Sequence, residues 1–518
     1  MHLDSGELQI FPGASFYKCY VEDLLRHGDN DFRFGNSRSV SAGRHRLEPA
    51  DNVQAIRVFC RNIIGLTIYS HIHLVPPRVS LTPAVVIEKP HTKQDEVSQQ
   101  RTQNVFIFGV DSVSRLAALR LLPFTYKYLV ENMSAVVLRS HHKVGDNTFP
   151  NIITILSGDR RVHPADTPDM KQDYFDDWPL IWKRFSKEGY ETLYAEDFPQ
   201  FSTFNYLANG FSRPPTHHYL RPFWLAIEYS MLSKTSSLLC YGAKPKYQLQ
   251  LDYIKYFLRK KRTNPYFAFS FLVEISHEYQ EYVGAADRDF VEVLKLLKGE
   301  VLSGRTLLIV LSDHGHRFDS IRRTRQGHIE ERLPFVAIAT ANTKHKAMLR
   351  LNSNMLTSHY DLHEVLRSLL PARSRPEVSK FGIDILQNVV PRNRTCAQAG
   401  VTEVHCTCVD PSNSQGEIDG TNIKALGTKA VKFVNEMLRQ DDISRSVCKT
   451  LSLRNIRSSF SVGQKKVLTL ITSPGGAIFE LRIDHWNESL SEAMFSRINR
   501  YGTPCVPSQI LRKYCYCG

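Results

Sequence analysis

The 518-residue chain contains no run of roughly 18 apolar residues, the length a membrane-spanning helix needs. Its opening, MHLDSGELQIF, has no basic stretch leading into an apolar core, so it does not read as a secretory leader. There is no recognition-helix pattern, no zinc-finger spacing and no aromatic-and-basic RNA motif, which sets nucleic acid aside as a partner. Internal repeats and low-complexity tracts are also missing, which excludes solenoids and disordered arrays. An acidic excess is lacking too: 66 Lys+Arg stand against 52 Asp+Glu, a net charge of +14 that favours anionic partners or substrates by steering. The basic clusters are short, ArgLysLysArg at 259–262 and Arg322, Arg323 and Arg325 in an expected loop, and read as solvated surface.

A hydrophobic content of 42% with 23% charged residues is that of a folded protein long enough for about two to four domains. Of the ten cysteines, seven fall from Cys396 onward. An even count crowded at one end suggests a disulfide framework of unreadable connectivity. A zinc reading is weaker, because Cys406-Thr407-Cys408 and Cys515-Tyr516-Cys517 are CxC pairs rather than CxxC knuckles. Sequons at Asn132, Asn393 and Asn487 agree with glycosylation on a lumenal route. The expectation is therefore an extracellular or secretory-pathway protein whose native amino-terminal segment precedes Met1. Any membrane contact would run through that segment.

Three regions emerge. Residues 1–95 hold short alternating stretches such as AIRVFCR (55–61) and LTIYSHIHLV (66–75) and read as a small β-rich unit. The polar, aperiodic segment 89–103 reads as a linker. From 104 to 390, apolar strands alternate with amphipathic helices, including one expected over 115–131, strands at 134–140, 191–196, 266–274, 306–313 and 335–340, and a helix over 359–370. This pattern predicts an α/β fold, a mostly parallel sheet sandwiched by helices. Residues 391–518 form a cysteine-rich α+β region.

Two strands in that middle region, NVFIFGVD and TLLIVLSDH, end in acidic or imidazole side chains. Ligands in open α/β sheets bind beyond the carboxyl ends of strands, so Asp111, Asp313 and His314 are the candidate ligands of one metal ion. In HHKVGDNTFPN (141–151), Pro150 suits a first helical turn and places the Thr148 hydroxyl at a helix amino terminus, where backbone N–H groups favour anions. Thr148 is thus a candidate nucleophile that needs a metal or base to activate it; the plainer reading is a helix cap. His277, just past the strand YFAFSFLVE, is a candidate for protonating a leaving oxygen, or is structural. In LTSHYDLHEVL (356–366), Ser358 reads as the cap of a surface helix carrying Asp361 and His363. In GHIEERLPF (327–335), Glu330, Glu331 and Arg332 read as a loop salt-bridge network, with His328 a ligand or merely exposed.

GVDSVSR, GDNTFPN, SHEY, SDHGHRF, QGHIEERLPF and TSHYDLH occur in an order that resembles the alkaline phosphatase superfamily, its sulfatase-like branch, and specifically the domain of unknown function 229 family. The resemblance implies a metallohydrolase fold, one divalent metal held by Asp111, Thr148, Asp313 and His314, and His277 facing the substrate. The oxygen-rich ligand set suits Zn, Mn or Mg. Two departures shape the expectation. Sulfatases use a Cys or Ser in C/S-x-P-x-R, whereas Thr148 stands here with no cysteine between Cys60 and Cys240. Two-zinc members supply an Asp-x-x-x-His pair, and Glu274-Ile275-Ser276-His277 lacks that Asp. The chain looks closer to single-metal, Thr-nucleophile members that transfer phosphoglycerol or phosphoethanolamine groups. The expected function is hydrolysis or transfer of phosphate esters, phosphodiesters included, on an anionic substrate carried by a glycan or lipid, with Arg115 and Lys143 holding its charge or lying on the surface. The alternatives are a sulfuric ester hydrolase and an inactive secreted binding protein on the same fold.

Overall fold

In the strand Asn104–Val110 every side chain after Asn104 is buried, because both faces of the central sheet are covered. Its residues alternate between two cores. Phe106, Phe108 and Val110 join one, with Leu308 and Val310 of the neighbouring strand, while Val105 and Ile107 join the other, with Leu307, Ile309 and Leu311. The computed structural model describes residues 2–4, 7–10, 18–41, 43–46, 53–75, 103–161, 163–166, 173–260, 262–318, 320–408, 420–462, 465–483, 489–500, 502 and 505–517. Most of the expected linker, 89–102, and the sequon at Asn487 lie outside the described residues.

The central sheet has seven strands in the order Val136–Val137, Val336–Ala339, Thr306–Leu311, Asn104–Val110, Tyr266–Leu272, Glu191–Glu196 and His218–Tyr219. Pairing is parallel from Thr306–Leu311 through His218–Tyr219, and Val336–Ala339 runs antiparallel to both its neighbours. The mostly parallel α/β sheet expected from the alternation is present. One face packs against the helices Lys246–Arg259 and Asp287–Leu302, the other against Thr148–Ser157 and His359–Ser368. The helix Asp287–Leu302 buries Phe290, Val293, Leu294, Leu297 and Val301, a stripe at three- and four-residue spacing.

Some expected elements differ. The helix expected over 115–131 stops at Leu121 and restarts at Pro123, because proline has no N–H to continue the ladder. Only Val136–Val137 of the segment 134–140 is strand, since the chain then leaves the sheet to pair His141–His142 with Thr357–Ser358. Ser358 does close a capping box with Asp361, but the helix behind it is not a surface helix: every residue of His359–Ser368 except Arg367 is buried. Asp361 is held there by Arg394 at 2.8 Å. The basic clusters are not simply solvated either. Arg322 is buried 3.7 Å from Glu331, and Arg262 pairs with buried Glu191 at 2.7 Å.

The amino-terminal strands, among them Lys18–Arg26, Ala55–Arg61 and Thr67–Leu74, form small antiparallel sheets closed by the Cys19–Cys60 disulfide. In the carboxyl-terminal region the helix Gly420–Gln440 lays Leu426, Val431, Val434 and Leu438 in one core with Leu468, Leu470, Phe479 and Leu481 of a four-stranded antiparallel sheet. Disulfides join Cys396 to Cys406, Cys448 to Cys515 and Cys505 to Cys517, so the framework reading of the cysteines is borne out. Cys240 and Cys408 stay out of it. The tail is stitched to the sheet region by Arg332–Glu480 at 2.9 Å and Lys513–Asp146 at 3.0 Å.

Candidate active site at the strand ends

Register brings the two acidic strand ends together. Leu311 pairs with Gly109 in parallel, so the chain two residues further on sets Asp313 beside Asp111. Gly109 has no room for a side chain, because a Cβ there would lie 2.4 Å from the Phe271 ring. Ser112 adopts φ +62°, a left-handed conformation rare outside glycine, and its N–H donates to Asp313 Oδ1 at 3.2 Å. Ser276 Oγ holds the Asp111 carbonyl at 2.6 Å, and Ser312 Oγ holds the His314 carbonyl at 2.9 Å. Gly315 is required as well, since a Cβ would meet the Glu330 carbonyl at 2.2 Å.

Asp111, Asp313 and His314 offer ligand atoms within 4.8 Å of one another, all buried. His314 Nδ1 lies 3.0 Å from the Gly315 carbonyl, and a carbonyl only accepts, so Nδ1 carries the proton of a neutral ring. Burial pulls His314 down to about 4, which keeps the ring neutral. Its Nε2 lone pair then faces Asp313 Oδ2 at 3.1 Å and Asp111 Oδ1 at 3.9 Å. Asp111 Oδ2 and Asp313 Oδ2 are both buried without a hydrogen-bond donor among the described residues. Burial first, and then the Asp313 charge, push Asp111 well above the ordinary carboxylate range. Burial acts the same way on Asp313, but His314, Thr148 and the Ser112 amide outweigh it and leave Asp313 below its usual value.

Thr148 is the first residue of the helix Thr148–Ser157; the capping position belongs to Asn147. The Thr148 hydroxyl donates to Asp111 Oδ1 at 3.4 Å. Buried Asn151 clamps the preceding loop, accepting from the Val144 and Gly145 amides and donating to the Gly145 and Asn147 carbonyls. Thr148 and His314 open into a cavity of about 400 Å³ that His277 also lines. The His277 ring packs on Phe201 at 4.9 Å between centroids, and its Nδ1 lies 3.1 Å from Glu278 Oε1. His277, and after it Arg500, hold the Glu278 carboxyl down to about 2.

Two of the expected substrate-binding residues are elsewhere. Lys143 is fully buried in an ion pair with Glu331 and does not line the cavity, so it is neither an anion clamp nor a surface charge. Arg115, half-buried at the start of the helix Arg115–Leu121, does not line it either. The Glu330–Glu331–Arg332 network is real but buried and longer than a loop. Glu330 pairs with Arg120 at 2.7 Å, Arg332 with Glu480 at 2.9 Å, and His328 also reaches Glu480 at 2.8 Å rather than standing exposed.

The motifs concealed a further relay. His359 Nε2 meets the Asp313 carbonyl at 2.7 Å, His141 Nε2 meets His359 Nδ1 at 3.1 Å, and His141 Nδ1 meets Thr357 Oγ1 at 3.0 Å. The carbonyl fixes the direction, with each neutral imidazole donating toward Asp313. Arg317, inside SDHGHRF, also lines the cavity, as do Arg500 and Arg512, to which no motif points. The last two come from the tail, where no strand-end pattern marks them.

Residues 3–457 match the model of a protein family of unknown function, DUF229. The chain belongs to that family. The resemblance read from its motifs at this level is thereby borne out. Comparison with curated proteins finds no match. Among solved structures, the C-terminal periplasmic domain of EcEptC from Escherichia coli in complex with Zn is similar at 11% identity and a TM-score of 0.37, covering 58% of this chain and 90% of that one. The lipoteichoic acid synthase LtaP from Listeria monocytogenes is similar at 13% identity and a TM-score of 0.37, covering 55% and 76%. A protein in the alkaline phosphatase superfamily from Vibrio parahaemolyticus shares 9% identity at a TM-score of 0.37, covering 81% and 90%.

Proposed function

We propose that this protein is a metal-dependent hydrolase or transferase of phosphate esters, phosphodiesters included, with Thr148 as nucleophile and one divalent cation. The observation that carries the reading is the His314 lone pair facing Asp313 Oδ2 at 3.1 Å, beside two buried carboxylate oxygens that lack a donor among the described residues. Three electron-rich atoms converging out of water repel one another unless a proton or a cation lies among them, and a divalent cation can meet all three at once. Asp111, Asp313 and His314, with the Thr148 hydroxyl, fit such an ion by donor chemistry. When bound, a divalent cation supplies the positive charge that favours the Thr148 alkoxide and neutralises the carboxylates.

The chain's own groups do the rest. Asp111 Oδ1 accepts the Thr148 hydrogen bond and aims its oxygen. The backbone N–H groups of Thr148 and Phe149 at the start of the helix Thr148–Ser157 favour the anionic oxygens of the ester. His277 shares the cavity, and with Nδ1 engaged by Glu278 its Nε2 protonates the departing alcohol. Water or a second alcohol then releases the ester from Thr148. Four disulfides and the exposed sequon residues Asn132 and Asn393 support an extracellular or lumenal setting. Among the described residues no helix is long and apolar enough to cross a membrane.

The test is turnover of bis(4-nitrophenyl) phosphate by the wild type and by Thr148→Ala, with 4-nitrophenyl sulfate alongside. The proposal expects diester cleavage that disappears in Thr148→Ala and on chelation. Cleavage that survives in Thr148→Ala, or that is confined to the sulfate, would remove it.

A further inference from the structure

The tail builds one wall of the cavity that Thr148 and His314 open into, contributing Arg500, Val506 and Arg512. Arg512 is half-buried. Its Nε donates to the Val506 carbonyl at 2.8 Å, one terminal nitrogen donates to the Tyr206 hydroxyl, and the guanidinium stacks 5.1 Å from the Tyr206 ring centre. Burial lowers its pKa and the Asp166 charge works against that, yet a guanidinium stays charged, so a cation stands in the wall. Arg500 is held flat by two bonds to Glu278, at 2.7 and 2.6 Å, and by stacking 5.1 Å from the centre of Tyr279. Between these cations and the strand ends, Phe201 stacks on Tyr206 at 5.2 Å and packs on His277 at 4.9 Å, giving the cavity a flat apolar side.

The strand-end centre needs only enough space for one ester group. A cavity of about 400 Å³ takes a whole leaving group as well. We propose that Arg512, with Arg500 beside it, forms a second anion subsite, so that preferred substrates carry an acidic group apart from the ester that reacts and place a ring or other flat body along Phe201 and Tyr206. Both arginines are specificity-determining residues. The inference rests on the phosphate-ester reading for the identity of the first anion.

Binding without turnover tests it. Phenylphosphonate and 4-carboxyphenylphosphonate, which cannot be hydrolysed at the C–P bond, are titrated calorimetrically into the full chain. The carboxylated probe is expected to bind roughly tenfold more tightly, the scale of one charge-assisted hydrogen-bonded pair. In Arg512→Met that preference falls to near unity, in Arg512→Lys part of it remains, and in the wild type it shrinks as salt is raised. Thermal melts of each variant confirm folding, and the salt series on the wild type needs no variant at all. Equal affinity for the two probes in the wild type, a preference indifferent to salt, or one that survives Arg512→Met in full would overturn the subsite. Failure of diester turnover would sink the proposed reaction and leave this binding result standing; a missing preference would sink the subsite and leave the reaction standing.

Discussion

Asp361 and the pair Asp111–Asp313 are equally inaccessible to water, and the fold treats them in opposite ways. Asp361 receives a two-pronged guanidinium from Arg394, at 2.8 and 2.9 Å, together with the Ser358 and Ile383 amides. Among the described residues no donor reaches Asp111 Oδ2 or Asp313 Oδ2. A third buried acid, Asp197, shows another solution: its Oδ1 accepts from the Val273 and Glu274 amides, and burial, followed by the Glu274 charge, pushes it up to about 8, so it keeps a proton. An arginine, a proton and a cation are the three ways to hold a carboxylate out of water. The first two serve the scaffold; the third, proposed for Asp111 and Asp313, would leave a charge that chemistry can use.

The sharpest way to break this comparison is at the nucleophile. Thr148→Ala is expected to lower diester turnover by roughly 10³-fold or more while leaving the unfolding midpoint near the wild type. Arg394→Met should do the reverse, costing about 3–5 kcal/mol in urea unfolding by stranding Asp361, while the folded fraction still binds metal. Chelation removes the third kind of counter-charge. It should lower stability by about 2.7 kcal/mol relative to cation held at about 100 times its Kd, and Asp313→Asn should be insensitive to chelator. The smallest effect concerns Asp197. The folded protein keeps its proton up to about pH 8, whereas the unfolded chain, with an ordinary value of 3.8, has released it. The folded state therefore binds more protons across that window, and stability falls as pH rises from about 4 to about 8. Asp197→Asn should flatten that slope and raise stability at pH 7.5, read from thermal melts across pH.

What the residues disclosed in advance follows the same division. Asp111, Asp313 and His314 were legible because an apolar strand ending in a ligand side chain is a local pattern, and parallel pairing then needs only the right register. Thr148 was legible through Pro150 and the turn before it. Lys143 was misread because residue type gives a charge and not its partner: Glu331 comes from a distant segment and reaches Lys143 only once the fold is complete. Asp361 and His363 make the segment after Ser358 read as a surface helix, because their buried partners, Arg394 and the Ile155 carbonyl, come from distant segments. Arg500 and Arg512 carried no signal, since their place in the cavity depends on how the tail docks on the sheet region. The pairing of the CxC cysteines was equally closed, because Cys406 and Cys408 are alike in sequence and only Cys406 meets Cys396.

The most direct measurement is anomalous diffraction from crystals grown with a divalent transition metal such as Mn or Zn. The account predicts a single strong peak within bonding distance of Asp111, Thr148, Asp313 and His314, lost in Asp313→Asn. A site that stays free of metal while chelator-treated protein still cleaves the diester would contradict it.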